Sequence, residues 1–250
     1  MFIRRRRLAV PWAAVITIAG LAGCGGGTSG GTVAEVSGAA GVASISKDLL
    51  RHWTSVEAVL LYNEQPTAPV PKGLIPDPPL YTACIAYLEM TPAKPGETGP
   101  KPTAVQLRGK CAQRYKALQV LTLNTLIGWY WTIDAGTAAG IRTSDQEVRH
   151  RLEEVSKRLF PQKGQFATYL KRTGQTIPDM LLRSRVQLFE VKISEKGTAM
   201  QKAGGTAAVV RFARGLPPGK QWAAKTTCSK GYVVSACKEY TGSEAPGVPN

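Results

Sequence analysis

Apolar residues recur along most of this chain at the three- and four-residue spacing of a helix face, broken by glycine and proline clusters. Leu49, Leu50, Trp53, Val56, Leu60 and Leu61 predict a helix with one buried face, opened at Ser44-Ile45-Ser46-Lys47. Tyr81 to Met90 reads as a short helix. Thr103 caps a long one, with Gln106 as its capping-box partner, running through Leu107, Cys111, Leu118, Ile127 and Trp131 toward Ala139 and stopping at Gly140. Ser144-Asp145-Gln146-Glu147 is a second capping box, opening a helix that Pro161 ends. Gln165 to Thr173 forms a short helix closed by Gly174. Thr176-Ile177-Pro178-Asp179 starts another that reaches about Gln201. Val33-Ala34-Glu35-Val36 is the one early segment that reads as a strand. Six prolines between 64 and 80 exclude helix and central strand there. Gly204-Gly205 and Pro217-Pro218-Gly219 break up the segment after that last helix, and Cys228 to Cys237 reads as a small stapled loop or hairpin. The fold class expected is mainly α.

The first residues follow another logic. Arg4 to Arg7 precede an apolar run, Leu8 to Ala19, of about a dozen residues, too short for a lasting transmembrane helix. Leu21-Ala22-Gly23-Cys24 then resembles the lipobox of bacterial lipoproteins. That resemblance implies cleavage before Cys24 and acylation of its sulfur, which would hold the protein at the extracytoplasmic face of the cell membrane. Residues 25–32, all Gly, Thr and Ser, read as the flexible tether.

Composition changes the picture in two respects. The formal charge is +15; without the four leader arginines, 28 basic residues face 17 acidic ones, a balance of +11. A basic protein beside anionic lipid and wall polymers is drawn to both, and export removes nucleic acid from the expected partners. Secondly, lipidation of Cys24 leaves Cys84, Cys111, Cys228 and Cys237, and an even count outside the cytosol implies two disulfides. Local pairing, Cys84–Cys111 and Cys228–Cys237, is the simplest of the three connectivities. A zinc site is the weaker rival: no C-x-x-C occurs, and neither His52 nor His150 is near a cysteine in sequence. No metal, cofactor or catalytic residue is expected. The chain holds no phosphate-binding glycine loop and no G-x-S-x-G. Glu153-Glu154 reads as a solvated helix face, and His52 as a helix-face residue. Trp129-Tyr130-Trp131 reads as core packing rather than a ligand-stacking site.

The order of elements between 33 and 200 resembles the N-terminal chaperone module of the SurA/PrsA-type foldases (trigger factor/SurA-like), in their actinobacterial lipoprotein branch. The residues that carry it are Val33-Ala34-Glu35-Val36-Ser37-Gly38, then Ser44-Ile45-Ser46-Lys47 with Trp53, then Ile141 to Val148, and finally Phe166, Thr173-Gly174-Gln175-Thr176 and Asp179-Met180-Leu181-Leu182. Tyr81-Thr82-Ala83-Cys84 and Thr227 to Val234 resemble the lipoprotein members in particular. The resemblance implies a leader over 1–23, a tether over 24–32, a SurA N-terminal-like helical domain over 33–200, a C-terminal segment with the stapled loop over 201–240, and a disordered tail over 241–250. Relatives often carry a parvulin-type prolyl isomerase after the last long helix. Only some 25 residues separate Lys196 from Gln221-Trp222-Ala223-Ala224-Lys225, too few for that domain. The expectation is a membrane-anchored, ATP-independent chaperone for unfolded or newly exported proteins. Its client cradle would lie between the 44–63 and 177–200 helices, with Trp53, Phe160, Tyr169 and Phe189 as candidate lining residues. Two alternatives stand beside it: a prolyl isomerase, by family label, and a basic lipoprotein that binds anionic wall polymers.

Overall fold

The computed structural model describes residues 31–62, 69–91 and 101–242. Cys24, the leader and residues 243–250 of the expected tail lie outside them. Two strands, β1 (Thr32–Gly38) and β2 (Gly41–Ser46), form an antiparallel hairpin. Gly41 takes the positive φ, 100°, that closes its turn. Here the structure corrects the sequence reading. Ser44-Ile45-Ser46 belongs to β2, with Ile45 buried, and the helix α1 (Lys47–Tyr62) begins only after it. The Ser46 hydroxyl accepts the Leu49 N–H at 3.1 Å, a cap that serves the strand's end and the helix's start together. Leu50, Trp53, Val56 and Val59 are the buried stripe of α1.

α2 (Thr82–Met90) follows the proline-rich segment. Its first N–H groups are capped from a distance: the Asp77 carboxylate accepts from Ala83 and Cys84 at 3.1 and 3.2 Å. α3 (Ala104–Ala138) opens on the Thr103–Gln106 capping box. At 35 residues it is about 52 Å long. The sheet, α1, α2 and the later α6 all pack on it. α4 (Asp145–Leu159) opens on the Ser144–Glu147 box, α5 (Gln165–Thr173) closes on Gly174, and α6 (Ile177–Arg214) opens on the Thr176–Asp179 box.

α6 does not end near Gln201. It continues to Arg214 with a break at Gly205, whose φ of 67° and ψ of −169° leave the helical region. The chain folds back there: a Cβ on Gly197 would lie 3.9 Å from the Phe212 ring. Fifteen residues of straight helix would hold those two about 22 Å apart. After α7 (Lys220–Ala223), β3 (Thr226–Cys228) pairs antiparallel with the free edge of β1, giving the sheet order β2-β1-β3. The stapled segment is thus a loop led by a strand of the main sheet. Trp222, Val234 and Cys237 share one core with Val33, Ile45, Leu50, Trp53, Leu123, Ile127 and Trp131. Residue 200 falls inside α6, and the segment after it is part of that core.

Candidate functional site

Asn124, Thr125, Gly128, Trp129 and Thr132 recur at α-helical spacing along α3, so they share one face, and this face is open. It floors a groove of about 670 Å³. Glu190 of α6 borders one part. Pro217, Pro218, Gly219, Lys220 and Ala223 from around α7, and Ser235 and Ala236 of the stapled loop, complete the lining. Gly128 keeps the floor low, since a Cβ there would meet nothing within 4 Å.

Each wall is fixed to the core by a separate set of bonds. Behind the proline wall, Trp222 is buried and its indole N–H donates to the Gly215 carbonyl at 3.2 Å. Its ring lies 6.4 Å from Trp131, whose own N–H donates to the Thr226 hydroxyl at 2.9 Å. The stapled loop hangs on Asn124, whose side-chain oxygen accepts from the Ser235 hydroxyl at 3.2 Å and the Ala236 N–H at 3.3 Å. Lys116 donates to the Gly231 carbonyl at 3.0 Å. On the floor, Trp129 meets buried Trp53 edge to face, centroids 4.8 Å apart. Successive helical residues point about 100° apart, so the Trp129-Tyr130-Trp131 run divides. Trp131 enters the core, as expected. Trp129 is half-buried and faces the groove, and Tyr130 lines a separate hollow with Asp134 and Arg185. Burial raises the Tyr130 hydroxyl above its usual pKa.

An indole face and two prolines offer flat, rigid apolar surface. Thr125, Thr132, Asn124, Glu190 and Lys220 offer hydrogen-bond partners and one charge of each sign. The lining thus combines flat apolar surface with hydroxyls, an amide and single charges.

The four candidate lining residues are not gathered in one place. Trp53 is 1 % exposed and supports the groove from behind. Phe189 is buried against α3, where a Cβ on Gly136 would come within 2.2 Å of its ring. Phe160, also buried, stacks with half-buried Tyr169 and with Phe166 at 4.8 and 5.5 Å, joining α4 to α5. None of the three buried rings can present free surface to a client. Between α1 and α6 the chain places polar contacts. His52 Nε2 lies 2.9 Å from the Asp179 carboxylate. Glu57 is held above the usual carboxylate range by burial, with the Arg183 charge pulling the other way. The open space beside α1 faces the end of α5 instead.

Both disulfides join the cysteines that are local in sequence: Cys84–Cys111, with Cα atoms 6.1 Å apart, and Cys228–Cys237, at 5.7 Å. Cys228, Cys237 and Glu239 come within 4.8 Å of one another, but both sulfurs are committed to the bridge, and Glu239 accepts the Cys228 N–H at 3.0 Å. The donor set therefore does not fit zinc, which needs thiolates. The groove's sequence signals were Gly128-Trp129 on α3 and Pro217-Pro218 after α6. Only the fold brings them together, about 90 residues apart in the chain.

No family model, curated protein or solved structure matches this chain. Among the described residues, no helix is long and apolar enough to cross a membrane.

Proposed function

We propose that this protein is a membrane-anchored, extracytoplasmic chaperone that holds unfolded exported polypeptides in the Trp129–Pro217–Pro218 groove without ATP. The groove itself carries this reading: an open trough of about 670 Å³, floored by an indole and walled by prolines, with its walls secured to the core. Trp and Pro surfaces lose little conformational entropy on contact, so they bind apolar side chains of varied shape. Asn124, Thr125 and Thr132 supply hydrogen-bond partners for an extended client backbone. Broad, shallow contact of this kind favours many partners over one. The anchor would be the acylated Cys24, and the family resemblance is consistent with this role. The prolyl isomerase alternative calls for a shaped catalytic pocket, and the groove lining offers no such group.

The test is site-specific photo-crosslinking. A photoreactive residue at Thr132, in the groove, should capture an unfolded client. The same residue at Val105, which is 81 % exposed on the first turn of α3, should not. Equal capture at both positions, or none at Thr132, would count against the groove.

One observation favours a second reading. Residues 196–238 contain eight basic side chains and no acidic one. They include the folded-back part of α6, where Val210, Arg211 and Arg214 share an exposed face. An envelope protein that binds anionic wall polymers through this region would show binding abolished by high salt and no effect on client aggregation.

A further inference from the structure

The part of α6 beyond Phe189 has no core of its own. None of residues 190–221 is buried. Lys196 Nζ donates to the Ala139 carbonyl at the end of α3. Past that bond the helix runs on for about 14 Å to Gly205, turns there, and returns as a second arm to Arg214. The two arms lie against each other. A Cβ on Gly204 would come 3.0 Å from the Ala208 Cβ, and one on Gly197 3.9 Å from the Phe212 ring. Between Gly197 and Arg214, no side chain of the described residues bonds outside the hairpin's own helix.

The hairpin divides into two zones. From Ala203 to Val210 it reads Ala-Gly-Gly-Thr-Ala-Ala-Val-Val, eight residues with no charge and one hydroxyl. Val210 is 42 % exposed, Ala203 and Ala207 are exposed, and Val209 is half-buried. Lys202 and Arg211 bracket this tip, and Arg214 follows one turn later. All three are exposed and make no ion pair or side-chain hydrogen bond among the described residues. The nearest acid before the tip is Glu195, seven residues ahead of Lys202, and none follows until Glu239. An arm that met only water would gain nothing from an uncharged end. Small apolar residues beneath a basic collar have the order of a segment that enters a lipid interface, its cations held at the phosphates. A soluble anionic polymer would reward the charges alone and leave Val209 and Val210 without a role.

We propose that the 197–214 hairpin of α6 inserts its Ala203–Val210 tip into the interface of an anionic phospholipid membrane, with Lys202 and Arg211 at the phosphates. The contact goes beyond the chaperone reading and does not depend on the Trp129 groove. A basic, weakly apolar tip binds modestly by itself. Beside the acyl anchor proposed at Cys24, it would fix which face of the molecule is turned to the membrane.

Co-sedimentation of the chain lacking residues 1–24 with lipid vesicles tests this. That truncation removes no described residue. The probes are vesicles of equal parts phosphatidylglycerol and phosphatidylcholine, vesicles of phosphatidylcholine alone, and soluble poly(glycerol phosphate). Depth is read from a bimane label on Ala207→Cys, a unique thiol there because Cys84, Cys111, Cys228 and Cys237 are bridged. Its emission should shift to the blue on the mixed vesicles and stay put with the other two probes. Lys202→Gln and Arg211→Gln should each weaken binding to mixed vesicles about fivefold. Val209→Ser/Val210→Ser keeps the charge and should weaken it about tenfold. Ala203→Gln/Ala207→Gln, at exposed positions that accept a helix former, should weaken it similarly without touching the contact between the arms. Lys163→Gln, an equal charge change between α4 and α5, should leave binding as it was. A label that does not shift on mixed vesicles, or equal binding to phosphatidylcholine alone, would overturn the insertion. Vesicle binding untouched by both tip variants, with poly(glycerol phosphate) bound as tightly, would overturn it in favour of the polymer.

Discussion

Trp129 stands edge-on to Trp53 with ring centroids 4.8 Å apart and planes at 82°, so the open floor of the groove rests directly on a core residue. One ring is half-exposed and the other is buried. A ligand pressed onto Trp129 would meet a firm surface, because Trp53 is itself buried in the core shared by the sheet and α3.

The contact between α3 and α6 depends on a missing side chain. A Cβ on Gly136 would approach the Phe189 ring to 2.2 Å. Gly136→Ala should lower stability by about 1–3 kcal/mol through overpacking. Gly109 also lies within α3, but a Cβ there would meet nothing within 4 Å. Gly109→Ala should instead stabilise by about 0.5–1 kcal/mol from helix propensity. Denaturant melts of the two variants check the pair, and equal signs would contradict the packing described.

Glu147 links the start of α4 to α6. Lys192 donates to its carboxylate at 2.6 Å, and the Ser144 N–H and hydroxyl donate as well, which holds its pKa at about 2 against the usual 4.5. A depressed carboxylate stabilises the fold above its unfolded value, and that contribution is lost as pH falls from 4.5 toward 2. The thermal midpoint of wild type should fall more steeply over that window than the midpoint of Glu147→Gln. Parallel profiles would mean the bond to Lys192 is not made in solution.

The two disulfides should separate stability from binding. On the chain-entropy model Cys84–Cys111 contributes about 3.5 kcal/mol and Cys228–Cys237 about 2.7 kcal/mol. Only the second holds a groove wall. Cys84→Ser/Cys111→Ser should lower the melting midpoint and keep client holding. Cys228→Ser/Cys237→Ser should lose holding, since Ser235 and Ala236 line the groove. Equal effects of both pairs on holding would argue against the stapled loop as a wall.

Much of the helical plan was legible because its signals are local. The Thr103–Gln106, Ser144–Glu147 and Thr176–Asp179 boxes each act within four residues, and Gly174 stops α5 where it stands. The cysteine pairs, 27 and 9 residues apart, were readable for the same reason. What failed was non-local. β3 is three residues long and forms only because β1, about 190 residues earlier, offers it an edge. Ser44-Ile45-Ser46 resembles a helix start until Val36 and Ala34 are seen to pair with its strand. The α6 helix resumes after Gly205 and brings Phe212 back beside Gly197, which glycine content alone does not reveal. The site was hidden in the same way. Trp53 and Phe189 stand as candidate lining residues in sequence, yet both are buried, while Trp129, read there as core packing, is half-exposed in the groove.

Location has its own test. Cys24 lies outside the described residues, and the lipobox alone supports the anchor. Cys24→Ser should leave the protein soluble or unprocessed, and blocking lipoprotein processing should give a heavier precursor. Membrane association of Cys24→Ser that survives a high-salt wash would rule the acyl anchor out.

The most direct measurement is light scattering from a chemically unfolded client diluted into buffer without ATP. At near-stoichiometric ratio the wild-type chain should suppress aggregation of several unrelated clients. Trp129→Ser, checked by circular dichroism to be folded, should lose most of that suppression, and Val105→Ser should keep it. If wild type fails with every client, or if Trp129→Ser suppresses as well as wild type, the groove is not a chaperone site.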